Sequence, residues 1–140
     1  VRVVIDTNIL ISALLTPFGN AARILDLALS GELQVIYDDR IISEFQDVLL
    51  RPKFDFDKGD VDELLSFIEA EGFKVTAIPL NEKLIDEDDL PFIEAAITGM
   101  ADALITGNKR HFAGKPAKKM RIMTPDEFLR FWKQRETKEK

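Results

Sequence analysis

The chain has 140 residues, no cysteine and a formal net charge of −6. That length suits one domain with a single sizeable core, read as residues 1–140, and the absence of cysteine excludes disulfides, thiolate metal sites and thiol chemistry. The charge is unevenly placed: residues 1–106 carry 8 Lys/Arg against 21 Asp/Glu, a balance of −13, whereas residues 107–140 carry 11 basic and 4 acidic residues, a balance of +7. An acidic body with a basic tail suits a metal-dependent enzyme acting on a polyanion, with carboxylates on the metal and Lys/Arg on phosphates. Residues 133–140 also read as a solvated, disordered terminus.

Val3-Val4-Ile5 is a β-branched run, the pattern of a strand buried on both faces in a parallel sheet. It stops at Asp6-Thr7-Asn8, at the rim where open α/β folds place their chemistry. Thr7 to Leu15 is expected to be helical. Asn20 is placed to cap a second helix with Ala21, Ile24, Leu25, Leu27 and Ala28 on its apolar face and Gly31 as its stop. Leu33 to Tyr37 is a second strand. Asp38 or Asp39 caps a helix from Arg40 to Leu50, ended by Pro52. Phe54 to Gly59 reads as a turn or loop, Val61 to Glu71 as a helix before Gly72, and Phe73 to Ile78 as a third strand. After Asp86-Glu87-Asp88-Asp89 comes a helix from Pro91 to Met100, with proline well placed at its start. Ala103 to Thr106 and Arg121 to Met123 are the last two strands. Thr124-Pro125-Asp126-Glu127 has the form of a capping box opening a helix through Trp132. Strands alternating with helices predict an α/β chain, a three-layer α/β/α sandwich on a mostly parallel sheet. No stretch approaches the roughly 18 uninterrupted apolar residues of a membrane span. Ile9 to Leu15 lack a basic leader, so no signal peptide is read and a soluble, cytoplasmic protein is expected.

Three acids stand where a solvated acid is not expected. Asp6 ends a buried strand, although an aspartate there also caps the following helix. Ile41, Ile42, Phe45, Val48 and Leu49 form an apolar stripe with Glu44 on its border, a position also open to a snorkelling glutamate. Asp89 heads the stripe Phe92, Ile93, Ala96, Ile97 and Met100, with Asp88 competing for the same role of cap or inward-facing acid. Helix starts and strand ends would bring all three to one rim of a parallel sheet. Adjacent carboxylates raise each other's pKa, and a divalent cation relieves that conflict. Hard oxygen ligands without cysteine favour Mg²⁺ or Mn²⁺.

In this order and spacing, Val4-Ile5-Asp6-Thr7-Asn8, Glu44, Asp86 to Phe92, Ile105-Thr106-Gly107-Asn108 and Ile122 to Phe128 resemble the PIN domain, a metal-dependent nuclease family. The likeness is to its VapC-like branch, the toxin components of toxin–antitoxin systems. It implies a five-stranded sheet in the order 3-2-1-4-5. It puts Asp6, Glu44 and Asp89 on the family's catalytic, metal-holding acids and Asn108 where a fourth acid usually stands, as a metal ligand through its carbonyl oxygen or a holder of a water. Thr7, Asn8 and Thr106 would orient those ligands. Asp102 would compensate for Asn108, or be an ordinary loop acid. The implied activity is Mg²⁺/Mn²⁺-dependent hydrolysis of single-stranded RNA, leaving a 5′-phosphate and a 3′-hydroxyl. An antitoxin protein and a homodimer are the implied partners.

Lys109, Arg110, Lys115, Lys118, Lys119 and Arg121 are candidates for RNA phosphates, with solvated surface charges as the plain alternative. His111 reads as a substrate contact or a surface loop residue. Phe128, Leu129, Phe131 and Trp132 read as core or dimer packing. A PIN fold degraded at Asn108, binding RNA or protein without cutting, is the competing function. A receiver-type phosphoryl-transfer domain fits less well, for want of a second strand-end aspartate or a glycine-rich phosphate loop.

Overall fold

The computed structural model describes residues 1–80, 88–112 and 120–139, apart from the side chains of residues 111, 138 and 139. The motif residues Asp86 and Glu87, the candidate phosphate contacts Lys115, Lys118 and Lys119, and the His111 side chain lie outside that description. In chain order the strands are β1 Arg2–Ile5, β2 Gln34–Tyr37, β3 Phe73–Lys74, β4 Ala103–Ile105 and β5 Ile122–Met123. The helices are α1 Thr7–Leu15, α2 Asn20–Leu29, α3 Asp39–Leu49, α4 Lys58–Glu71, α5 Leu90–Thr98 and α6 Pro125–Glu139.

The strands form one sheet, β3-β2-β1-β4-β5, and every pairing is parallel. This is the order that the resemblance implies. Successive strand residues point to opposite faces, so a strand with no exposed position must be covered on both. That is the state of Val3, Val4 and Ile5, none more than 2% exposed. The register pairs Val3 with Val35 on one side, and Val3, Val4 and Ile5 with Ala103, Leu104 and Ile105 on the other. The first strand is therefore the centre of the sheet.

Aspartate caps fix the starts of α3 and α4. Asp38 accepts from the Ile41 N–H at 3.0 Å, and Asp57 from Gly59 and Asp60 at 2.7 and 3.3 Å. The Asp57 cap is why α4 begins at Lys58 rather than Val61, inside the expected loop. In α2 the cap position is Gly19, with no side-chain cap hydrogen bond, so Asn20 is the first helical residue and not the cap.

Two further expectations are corrected. The third strand stops at Lys74; one more bond runs from the Val75 N–H to the Tyr37 carbonyl at 2.9 Å. Beyond it the Ile78 N–H turns to the Thr98 hydroxyl, 3.1 Å away, and the Ile78 side chain is 70% exposed. The last helix does not end at Trp132 in a disordered tail but runs to Glu139. Residues 133–139 contain neither glycine nor proline and are mostly good helix formers, so nothing local ends the helix. The capping box is formed in both directions: Thr124 N–H to Glu127 Oε1 at 2.9 Å, and Glu127 N–H to the Thr124 hydroxyl at 3.2 Å. Among the described residues, no single helix is long and apolar enough to cross a membrane.

Candidate metal centre

The carboxyl ends of β1 and β4 lie side by side, the Asp6 N–H bonding the Ile105 carbonyl at 3.1 Å. Asp6 follows β1 at this rim and is only 7% exposed. Its Oδ1 accepts from the Ile9 N–H at 3.1 Å, capping α1. Its Oδ2 accepts from the hydroxyl of Thr106, itself fully buried at the end of β4. Both sequence readings of Asp6 therefore hold at once, cap and rim acid. A carboxylate has about four lone-pair positions, so two donors leave it able to bind more. Thr7, the first residue of α1, sends its hydroxyl to Glu44 Oε2. The resemblance gave Thr7 and Thr106 an orienting role, and each holds one acid.

Asp6, Thr7, Asn8, Glu44, Val48, Arg51, Asp88, Asp89 and Phe92 line one open pocket of about 260 Å³. Three different parts of the chain deliver those acids: the end of β1, the second turn of α3, and the start of α5. Asp89 occupies the cap position of α5 without a side-chain cap bond. Asp88 lines the pocket beside it. Burial pushes the Asp6 carboxyl above its ordinary range, against the pull of the Thr106 hydroxyl and the Ile9 N–H, and Asp89 pushes it further. Glu44 is likewise raised, first by burial and then by Asp88 and Asp89, while the Thr7 hydroxyl and Arg51 oppose the rise. The pocket thus holds carboxylates that ionise at a cost, the condition a divalent cation relieves.

Three or more of the described His, Asp and Glu side chains do not gather tightly enough to chelate one ion directly. An all-carboxylate cage does not fit. A magnesium-like ion held by one or two carboxylates and completing its shell with water does fit, because hard oxygen donors line the pocket and such ions shed water reluctantly.

Other expected residues lie elsewhere. Asp102 precedes β4, and in a parallel sheet that puts it at the opposite rim. There its Oδ2 accepts from the Arg2 N–H at 2.9 Å and its own N–H bonds the Arg2 carbonyl. It therefore cannot stand in for a missing rim acid. Asn108 is exposed and does not line the pocket; its backbone N–H bonds the Thr106 hydroxyl at 3.1 Å. Lys109 is 3.1 Å from Glu127, and the Arg121 guanidinium lies 4.8 Å over the Phe131 ring, whereas Arg110 is exposed. Phe128 is fully buried, with Trp132 stacked on it at 6.4 Å, in keeping with a packing role.

Two features escaped the sequence reading. Arg51 lines the pocket although it lies beyond the end of α3; it stands seven residues after Glu44 and three after Val48, so helical spacing could have flagged it. Glu94 is 4% exposed on α5 and accepts from Arg40 at 2.7 Å and from the Leu80 N–H at 2.6 Å. Arg40 also bonds Asp38, the α3 cap, at 2.7 Å, tying the helix of Glu44 to the helix that follows Asp89. A buried glutamate inside an apolar stripe leaves no periodic signal for its partner. A larger cleft of about 570 Å³ lies at the opposite end, between the α2–β2 turn and the end of α4; among the described residues that line it the acids are Glu32 and Glu71.

Comparison with known proteins gives the family and the fold. A protein from Methanocaldococcus jannaschii, itself described as uncharacterized, is 30% identical over 142 residues, covering 92% of this chain and 90% of that one. The fold is shared with VapBC2 from Rickettsia felis, solved bound to a DNA fragment from its promoter: TM-score 0.57, 15% identity, 89% of this chain and 98% of that one. It is shared equally with VapBC-1 from nontypeable Haemophilus influenzae: TM-score 0.57, 14% identity, 90% and 99% coverage. The family model described as PIN domain matches residues 2–110, which include Asp6, Glu44, Asp89 and Thr106, and the chain belongs to the PIN domain family.

Proposed function

We propose that this chain is a Mg²⁺- or Mn²⁺-dependent endoribonuclease that hydrolyses single-stranded RNA, acting as the toxin of a toxin–antitoxin pair. One observation carries the reading: carboxylates from three separate parts of the chain line one pocket at the sheet rim, where burial and mutual repulsion hold Asp6 and Glu44 above their ordinary pKa. Members of the PIN domain family are nucleases, and the VapBC fold neighbours support a protein antitoxin as partner.

Asp6, Glu44 and Asp89 would anchor the ion, one or two directly and the rest through the waters that complete its shell. When bound, it would supply a nucleophilic hydroxide at neutral pH and polarise the phosphodiester. The Thr106 and Thr7 hydroxyls orient Asp6 and Glu44, and the apolar packing of Phe92 and Val48 walls the pocket. Labelled single-stranded RNA should be cut in Mn²⁺ or Mg²⁺ and left intact in EDTA or by Asp6→Asn. Equal cleavage by wild type and Asp6→Asn would reject the enzyme.

The second reading is a PIN fold that binds RNA or protein without cutting. The exposed Asn108, outside the pocket and in the place of a usual acid, favours it. Cleavage gained only in Asn108→Asp would select that reading.

A further inference from the structure

We propose that Arg51 is a phosphate-binding residue of this pocket, seating the RNA backbone next to the phosphodiester that is cut. The inference rests on the ribonuclease reading and adds a substrate contact to it.

Arg51 is the one Lys or Arg among the described residues that line the acid pocket. It also lines the neighbouring groove with Ser43, Gln46, Asp47, Leu50 and Pro52, so its side chain stands where the two meet. Its root is fixed from both sides: the Arg51 N–H bonds the Val48 carbonyl at 3.2 Å, and its carbonyl accepts from the Phe54 N–H at 3.1 Å. Pro52 follows and opens a short 3-10 turn. The tip is held only lightly. Its side chain is 50% exposed and meets Asp47, 74% exposed, at 3.3 Å, an ion pair that water and salt weaken. A guanidinium with a rigid root and a loosely held fork is suited to turn from a surface carboxylate to a phosphate, which it can grip with two parallel N–H bonds. The need for such a group is electrostatic. A polyanion entering a pocket of Asp6, Glu44, Asp88 and Asp89 is repelled wherever the metal does not face it, and the Lys109 ammonium is already beside Glu127.

The test compares wild type with Arg51→Ala, Arg51→Gln and Arg51→Lys. Mn²⁺ affinity is measured by calorimetry. Binding of a fluorescent single-stranded RNA is measured by anisotropy, with Ca²⁺ replacing Mn²⁺ and salt varied. Cleavage is measured as kcat and KM in Mn²⁺. Arg51→Ala should raise Kd and KM roughly tenfold with kcat little changed, and should leave Mn²⁺ affinity equal or higher. The slope of log affinity against log salt should fall by about 0.7, the loss of one phosphate contact on a single strand. Arg51→Lys should restore the slope but only part of the affinity, and Arg51→Gln, a longer uncharged side chain that fills more of the same space, should lose the same slope and affinity as Arg51→Ala. Unchanged KM and salt slope in Arg51→Ala, with only the pH profile displaced upward, would overturn the proposal and make Arg51 a local counter-charge. A wild-type protein that neither binds nor cuts RNA would remove the ribonuclease reading first, and this one with it.

Discussion

Asp6 serves the fold and the pocket with different oxygens, and the two can be separated. Its folded pKa lies above the ordinary 3.8, mainly through burial. A carboxyl shifted in that direction stabilises the fold less as pH rises from the unfolded value through the folded one, because ionising it is harder in the folded state. Asparagine keeps the cap on α1, since its side-chain carbonyl can accept from the Ile9 N–H. In metal-free buffer at pH 7, Asp6→Asn should therefore melt higher than wild type, and the gap should close toward pH 4. Added Mn²⁺ should raise the melting temperature of wild type and not of the variant; scanning fluorimetry with and without EDTA reads both. At this scale the sequence was legible where a residue breaks a pattern. Asp6 ends a β-branched run and Asp89 heads an apolar stripe, and both line the pocket. Of the two readings open to Asp102, the loop acid holds, because nearness along the chain to Thr106 is not nearness in space: the length of β4 separates the two rims. Arg51 was missed because it lies just past the end of α3, although its spacing puts it on the face of Glu44, and Glu94 because an acid among apolar neighbours acquires meaning only from partners on other elements.

Among the elements, α6 shows how little is needed to fix a helix start. The Thr124–Glu127 box satisfies two backbone donors reciprocally, and Lys109 pairs with the same glutamate. The Thr124 N–H chiefly, and Lys109 after it, hold the Glu127 carboxyl below its ordinary 4.5. A group shifted that way contributes stability above its unfolded pKa and loses it as pH falls through the folded one. Thr124→Ala should cost about 1 kcal/mol, a drop of a few degrees in thermal melts. Wild type and Glu127→Gln should differ at pH 7 and converge under acid. Most element types were readable because periodicity and caps agree locally. The failures are at ends. The β3 run Phe73 to Ile78 has strand composition, yet only its first part has a neighbour to pair with, since β2 ends at Tyr37. α6 outlasts its apolar face because its last turns are set by helix propensity alone.

For the molecule as a whole, the order 3-2-1-4-5 came from family likeness and not from the pattern of runs, which cannot say which strands are neighbours. The tail is where global charge and packing part company. Residues 133–137 are exposed on the end of α6, beyond the buried Phe128. A chain ending at Trp132 should fold cooperatively, lose at most a few degrees in melting temperature and keep its Mn²⁺ affinity. Its RNA affinity should fall more steeply than its stability, because the lost segment is net basic. Parallel calorimetry and anisotropy on the two lengths decide this.

The bond from Thr106 to Asp6 joins residues 100 positions apart. During synthesis the first aspartate leaves the ribosome long before the threonine that orients it, and before β4 can flank β1. A half-made polypeptide therefore has no assembled acid pocket. On the proposed ribonuclease function, this delay would spare the message and the machinery that are producing the chain, and would leave time for an antidote made alongside to be ready when the last strands close.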